Sequence, residues 1–177
     1  MARIEQRGLY ADEMTEGDVY VHRPGRTLTE ADNVLFTTLT MNTQALHLDE
    51  AEAARQPFGR RLMNSMHTLA TMVGQSVGQL TQGTLVAQLG LGEIRFPAPV
   101  FAGDTLYTET EVIQIRPSSS RPGQSIVTLA HTGRNQDGTV VAEASRTCLM
   151  WASAAAHREH GAPQGTQASG PTTERTS

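Results

Sequence analysis

From Thr84 onward, β-branched and aromatic residues alternate with polar ones in four runs, Leu85 to Phe96, Asp104 to Arg116, Gln124 to Asn135 and Thr139 to Trp151. Turn-rich stretches, PAPVFAGD, RPSSSRPG and NQDG, separate them. Such runs read as strands. Asp137-Gly138 between the last two predicts a hairpin closed by a type I′ turn, which needs positive φ at both central residues. The N-terminal half follows a helical period instead. Asp18 to His22 is a short candidate strand, and Thr29 then offers an N-cap oxygen ahead of Glu30, Ala31 and Asp32. Val34, Leu35 and Leu39 follow as the apolar face of a helix ending near Thr40. Asp49 caps a second, short helix, EAEAAR, that stops before Pro57.

Met66, Leu69, Ala70, Val73, Val77 and Leu80 fall at i, i+3, i+4, i+7, i+11 and i+14, the best amphipathic helix in the chain. Asn64 or Ser65 would cap it. Gly74 and Gly78 each cost an exposed helix about 1 kcal/mol relative to alanine, which predicts close packing against a flat surface such as a sheet. Helices first and consecutive strands afterwards give an α+β class with an antiparallel sheet. After Trp151 the chain turns to Ala, Ser, Thr, Gly, Gln and Pro, so residues 152–177 read as a disordered tail and 1–151 as one domain.

Charge and composition narrow the partners. The 177 residues carry a formal charge of −4 without a lysine/arginine block, which argues against nucleic acid and anionic membranes as partners. The one cysteine, Cys148, and a start without an apolar leader predict the cytoplasm. No apolar run approaches the roughly 18 residues that span a bilayer. Spaced His/Cys/carboxylate clusters for a metal and glycine motifs for a nucleotide are both missing from the pattern.

Taken together, RTLTEADNVLFTTLTMNTQALHLDEAEA, FGRRLMNSMHTLA, LGLGEIRFPAPVFAGDTL and RPSSSRPGQSIVTLAHTGRNQDGTVVAEASRT resemble the MaoC-like dehydratases, which include the (R)-specific enoyl-CoA hydratases. The resemblance runs from about Gly17 to Thr147. It implies a hot-dog fold, an antiparallel sheet wrapped around a long central helix, that dimerises through the sheet. It also implies an acyl-CoA thioester substrate and no cofactor other than the CoA it carries. In that family a loop like G-D-x-N-P-L-H supplies an aspartate and a histidine that activate water. Here the histidine falls on His47. The aspartate position holds Asn42, the asparagine position Gln44 and the proline position Ala45. The family's H-G-M at the start of the central helix is Asn64, Ser65 and Met66. These departures mark either a divergent member or, as expected here, a subgroup with altered chemistry that resembles hydratases of branched or dicarboxylic enoyl-CoAs such as mesaconyl-CoA or itaconyl-CoA.

Hydration of an enoyl thioester needs a polarised carbonyl, a base for water and a proton for the α-carbon. Unsatisfied N–H groups at a helix N-terminus can serve the first need, which makes Asn64, Ser65 and Met66 the expected oxyanion donors. Histidine, titrating at about 6.5 in water, suits the second, with Asn42 orienting the water. Arg60 and Arg61 are candidates for a second carboxylate on the acyl group, because a guanidinium forks onto carboxylates; Gln44, Arg116 and Arg121 are further substrate-binding candidates. The same residues have plainer readings: Asn42 as a helix C-terminal residue, the arginines as surface ion pairs, Asp49 as a cap, Asp104 as a turn residue. His67 and His131 receive no role. A hot-dog thioesterase is the main rival activity, although Met63 to Gly83 lacks the carboxylate such enzymes use. A non-catalytic acyl-CoA-binding subunit is the other.

Overall fold

Strict alternation along β5 (Gln124–Arg134) sends Ser125, Val127, Leu129, His131 and Gly133 to a buried face. Its neighbours β4 (Thr105–Pro117) and β6 (Val140–Trp151) pair with it antiparallel over nearly their whole lengths. In the computed structural model, which describes residues 4–160, β3 (Leu85–Arg95) adds to the free side of β6 and β1 (Val19–Val21) to that of β4. The sheet order is β1-β4-β5-β6-β3, with the two-residue β2 (Arg26–Thr27) also on β4. The boundaries of β1 and of β3 to β6 match the sequence expectation to within one residue, whereas β2 is not among the expected strands.

Around α4 (Ser65–Leu80) the sheet closes its inner face. Leu69 and Met72 pack with Leu28, Leu106 and Val141 at the helix's N-terminal end, and Leu80 packs with Val112, Val127 and Met150 at the other. Gly133 permits the approach, since a Cβ there would lie 3.0 Å from the Met72 sulfur. Burying each such side chain contributes about 1.5–3 kcal/mol. The chain thus folds as a hot dog.

A polar belt divides the two apolar clusters. His22 donates from Nδ1 to Gln79 Oε1 (2.9 Å), which leaves its Nε2 to accept from the Thr110 hydroxyl at 2.8 Å. Thr110 then accepts from His131 Nδ1, also at 2.8 Å. The chain of donors runs one way, ending on the lone pair of His131 Nε2 near the buried, permanently charged Arg146. Among the described residues Arg146 pairs with no carboxylate, and its Nε and Nη1 make no hydrogen bond.

Four expectations need correction. First, α1 (Glu30–Leu39) is inverted: Asn33 and Thr37 are its buried residues, whereas Leu35 and Leu39 are 61% and 74% exposed. Second, Gly74 and Gly78 face open space and not the sheet. Third, the β5–β6 turn has positive φ only at Gly138, and Gly138 N–H reaches Asn135 O. That is a type I turn followed by a left-handed glycine, not type I′. Fourth, the segment expected to be disordered begins with a helix, α5 (Ala154–His160). His157 stacks on Trp151 with ring centroids 4.9 Å apart, and its Nδ1 meets the Tyr10 hydroxyl at 3.2 Å. The rest of that segment, 161–177, lies outside the described residues.

Burial, with the positive charge of Arg146 nearby, holds His131 down to about 3, and burial also lowers His22. The unfolded chain therefore takes up protons below about pH 6.5 that the folded chain refuses. Stability is full above that pH and declines as pH falls toward the folded values, by at most about 1.4 kcal/mol per pH unit for each histidine. Urea denaturation at about pH 7 and about pH 5 should show the decline, and His131→Gln should make it shallower.

Candidate active site

The site is built at the N-terminal end of α4, from the loop that leaves α1. Met41, at φ 58°, closes α1 as a left-handed cap: its N–H bonds Thr38 O at 3.1 Å and Asn42 N–H bonds Thr37 O at 3.0 Å. This is a Schellman closure with methionine where glycine is usual. Asn42 Oδ1 next accepts Gln44 N–H at 3.1 Å, and Gln44 O accepts His47 N–H at 3.0 Å. The segment TMNTQALHLD is therefore a cap, an Asx turn and then a helical turn, α2 (Ala45–Leu48), which carries His47. A further turn, α3 (Glu50–Ala53), follows under the Asp49 cap expected from the sequence.

His47 is buried, 8% exposed, and its Nδ1 lies 2.9 Å from Leu62 O. A carbonyl only accepts, so the Nδ1 position carries the proton and the neutral ring keeps its lone pair on Nε2. Nε2 makes no hydrogen bond among the described residues. Leu62 N–H in turn bonds Leu46 O at 3.1 Å, zipping the two segments together.

Asn64 caps α4 by accepting Met66 N–H at 3.0 Å, and its own N–H donates to Asn33 Oδ1 at 2.9 Å. Two of the three expected oxyanion donors, Asn64 and Met66, are thus occupied. Ser65 N–H is left free in the first turn. Ser65 and Leu62 both line an open cleft of about 290 Å³, with Phe58, Phe96, Pro99 and Val141 among its apolar walls. His47 joins this cleft through Leu62 and does not itself line it.

The arginines separate into three situations. Arg61 is committed to Glu30 (2.9 Å) and Glu50 (2.8 Å), bracing α1 against α3. Arg60 is exposed and stacks over the Phe101 ring, 3.6 Å from its centroid, without an ion pair among the described residues. Arg116 and Arg121 sit beyond the far end of the core, where Arg116 pairs with Ile126. α4, sixteen residues and so about 24 Å long, separates them from Ser65 within one chain. The structure does not bring them into this site. Gln44 is exposed beside it.

Sequence reading missed Asn33, which is 1% exposed. Its Nδ2 donates to His47 O (3.2 Å) and Leu62 O (3.1 Å), and its Oδ1 takes the Asn64 N–H. The available signal was the i, i+4 pair Asn33/Thr37, two polar residues on one side of α1. Among the described residues no group of three His, Cys, Asp or Glu is arranged to hold a metal ion.

A sheet wrapped around one helix, with a tautomer-fixed histidine held at that helix's N-terminus, defines a hot-dog protein with a candidate base beside a helix-end donor. Residues 12–135 match the family described as MaoC like domain, and the chain belongs to that family. It is 28% identical over 150 residues to a mesaconyl-CoA hydratase of Haloarcula marismortui, covering 84% of this chain and 42% of that one. A MaoC-like dehydratase from Rhodospirillum rubrum superposes with TM-score 0.71 at 29% identity, covering 81% of this chain and 97% of that one. A double hot-dog protein of Mycobacterium tuberculosis superposes with TM-score 0.75 at 28% identity, over 85% of this chain and 46% of that one. The chain spans about two fifths of the length of the curated relatives it first matches.

Met41 pays a backbone cost at an 87% exposed position where its side chain gains little. Met41→Gly should raise stability by about 1 kcal/mol, read as a higher urea midpoint at unchanged m-value.

Proposed function

We propose that this chain is a hydratase/dehydratase of enoyl-CoA thioesters. The observation that carries the reading is the Nδ1–Leu62 bond, which leaves the lone pair of the neutral His47 ring on Nε2, on the turn bound to the α4 terminus where Ser65 N–H is free. In the hydration direction, a water held by the Asn42 amide gives a proton to His47 Nε2 while its oxygen bonds the β-carbon. The electrons of the double bond move onto the thioester oxygen, which Ser65 N–H stabilises. The imidazolium then returns its proton to the α-carbon as the carbonyl re-forms. The scheme uses no cofactor beyond the CoA of the substrate, and the single, unpaired Cys148 supports a cytoplasmic location.

Similarity to a mesaconyl-CoA hydratase supports a branched or dicarboxylic acyl group. Arg60 is the guanidinium left to meet a second carboxylate, because Arg61 is already saturated. One specific observation favours a second reading: Asn42 spends its carbonyl on the Gln44 turn, as a purely structural residue would. That reading is an acyl-CoA-binding subunit without turnover.

We further propose a homodimer. The outward face of α4 and edge strand β3 expose Met66 (52%) and Leu91 (39%) around a groove that also includes Ala70 and Gly74. An open sheet edge beside an apolar groove invites a second hot dog. The match to half of a double hot-dog chain supports the same pairing. No described helix is long and apolar enough to cross a membrane.

His47→Ala should lower kcat/KM for hydration about 10²- to 10⁴-fold, measured as loss of enoyl absorbance with crotonyl-, mesaconyl- and itaconyl-CoA. Wild-type rates in the variant would remove His47 from the mechanism, and preference for crotonyl-CoA would remove the dicarboxylate. Tight binding without turnover would select the subunit reading, whereas free-thiol release would reveal a thioesterase. In sedimentation, wild type should run as a dimer and Gly74→Glu as a monomer; a monomeric wild type would rule out the pairing.

A further inference from the structure

We infer that Asn33 is a positioning residue for the reaction, an inference that rests on the hydratase reading: it fixes the distance between the base and the oxyanion donor. Those two groups come from different elements. His47 rides on α2, and Ser65 N–H opens α4. The Asn33 side chain bonds the backbone of His47 and that of Asn64, the residue before Ser65.

Asn33 donates to the carbonyl of His47 itself and to that of Leu62, which also receives the imidazole proton. Its oxygen accepts the N–H of Asn64, the residue before Ser65. The side chain is 1% exposed, so water does not compete for these bonds. Only an amide suits the place. Aspartate would face the carbonyls of His47 and Leu62 with lone pairs in place of N–H groups, and aliphatic residues would strand all three partners. The burial of Asn33 on the inner face of α1, with apolar Leu35 and Leu39 turned outward, places these bonds above apolar packing in the helix's orientation.

Leu62 O connects the clasp to the chemistry. It lies 3.1 Å from Asn33 Nδ2 and 2.9 Å from His47 Nδ1, so the amide holds the acceptor that keeps the ring proton on Nδ1. Without that hold, the ring can turn or change tautomer, and Nε2 is no longer reliably the basic nitrogen.

The test uses Asn33→Ser and Asn33→Asp in the full chain, read by enoyl-CoA kinetics and by ¹⁵N NMR of the His47 ring. Wild type should show a single Nδ1-protonated neutral tautomer. In the variants that tautomer should give way to a mixture, and kcat should fall about 100-fold with KM changed less than about threefold. A ring that stays wholly Nδ1-protonated in folded variants overturns the inference, as does a tautomer mixture with wild-type kcat. Asn33→Ser, smaller and neutral, remains readable if Asn33→Asp does not fold. If wild type hydrates none of the enoyl-CoAs, it is the hydratase reading that fails, and the NMR comparison still decides whether Asn33 holds the ring.

Discussion

The carbonyl of Leu62 is the constraint on which the site depends. It has two lone pairs, and the structure spends one on His47 and the other on Asn33. Leu62 itself is held by its N–H on Leu46 and by the chain running directly into the Asn64 cap of α4. A single acceptor therefore ties α1, the turn that carries the base and the helix that offers the donor. Because a carbonyl cannot donate, this geometry sets the ring's proton without any carboxylate. Elsewhere such a histidine is commonly oriented by an acid, which brings charge with it. Here the orienting group is neutral, so the apolar cleft beside it receives no additional anion.

How much of this was legible follows from what each residue type signals. The strands could be read because period-2 alternation survives wherever one face is buried, and Gly/Pro/Asn/Asp clusters mark the turns. Their boundaries fell within one residue. α1 failed for the opposite reason. Apolar residues were assumed to face the core of their own chain, whereas Leu35 and Leu39 point outward and the inner face is given to a hydrogen-bond clasp. Gly74 and Gly78 failed in the same way: small residues permit a close approach but do not require one, and here both face open space. His47 was legible only through the family pattern around it. Asn33 carried no pattern, because three bonds to distant backbone groups leave no periodicity behind.

The belt across the core shows a second use of polar groups. His22 and Thr110 each serve as donor on one side and acceptor on the other, and His131 donates into them, so their hydrogen bonds have a single consistent direction. Arg146 lies beside the accepting end. Placing a guanidinium there costs desolvation, and neutral histidines return only part of it. What the belt contributes is position: from α4, Gln79 accepts from His22, and Gln75 accepts from the Thr108 hydroxyl of β4. The sheet's register and the helix's position are thereby fixed together, and the α4 terminus with them.

The neutral amide at position 42 can now be weighed against the fold. Its structural task is to accept Gln44 N–H, and aspartate performs that task at least as well, since ionised acceptors bond more strongly. The turn therefore does not explain the asparagine. What distinguishes the two residues is charge and donor capacity. A carboxylate in the turn leading into α2 would favour the imidazolium form of a nearby histidine, whereas an amide leaves that balance alone and adds two N–H donors. With His47's proton already assigned by Leu62, a second group to orient or charge the ring is redundant. Asn42 is free to act on the water or on an acyl oxygen, and its chemistry there is that of a donor. In the proposed reaction an amide at position 42 cannot exchange a proton with the water, so proton transfer there rests on His47.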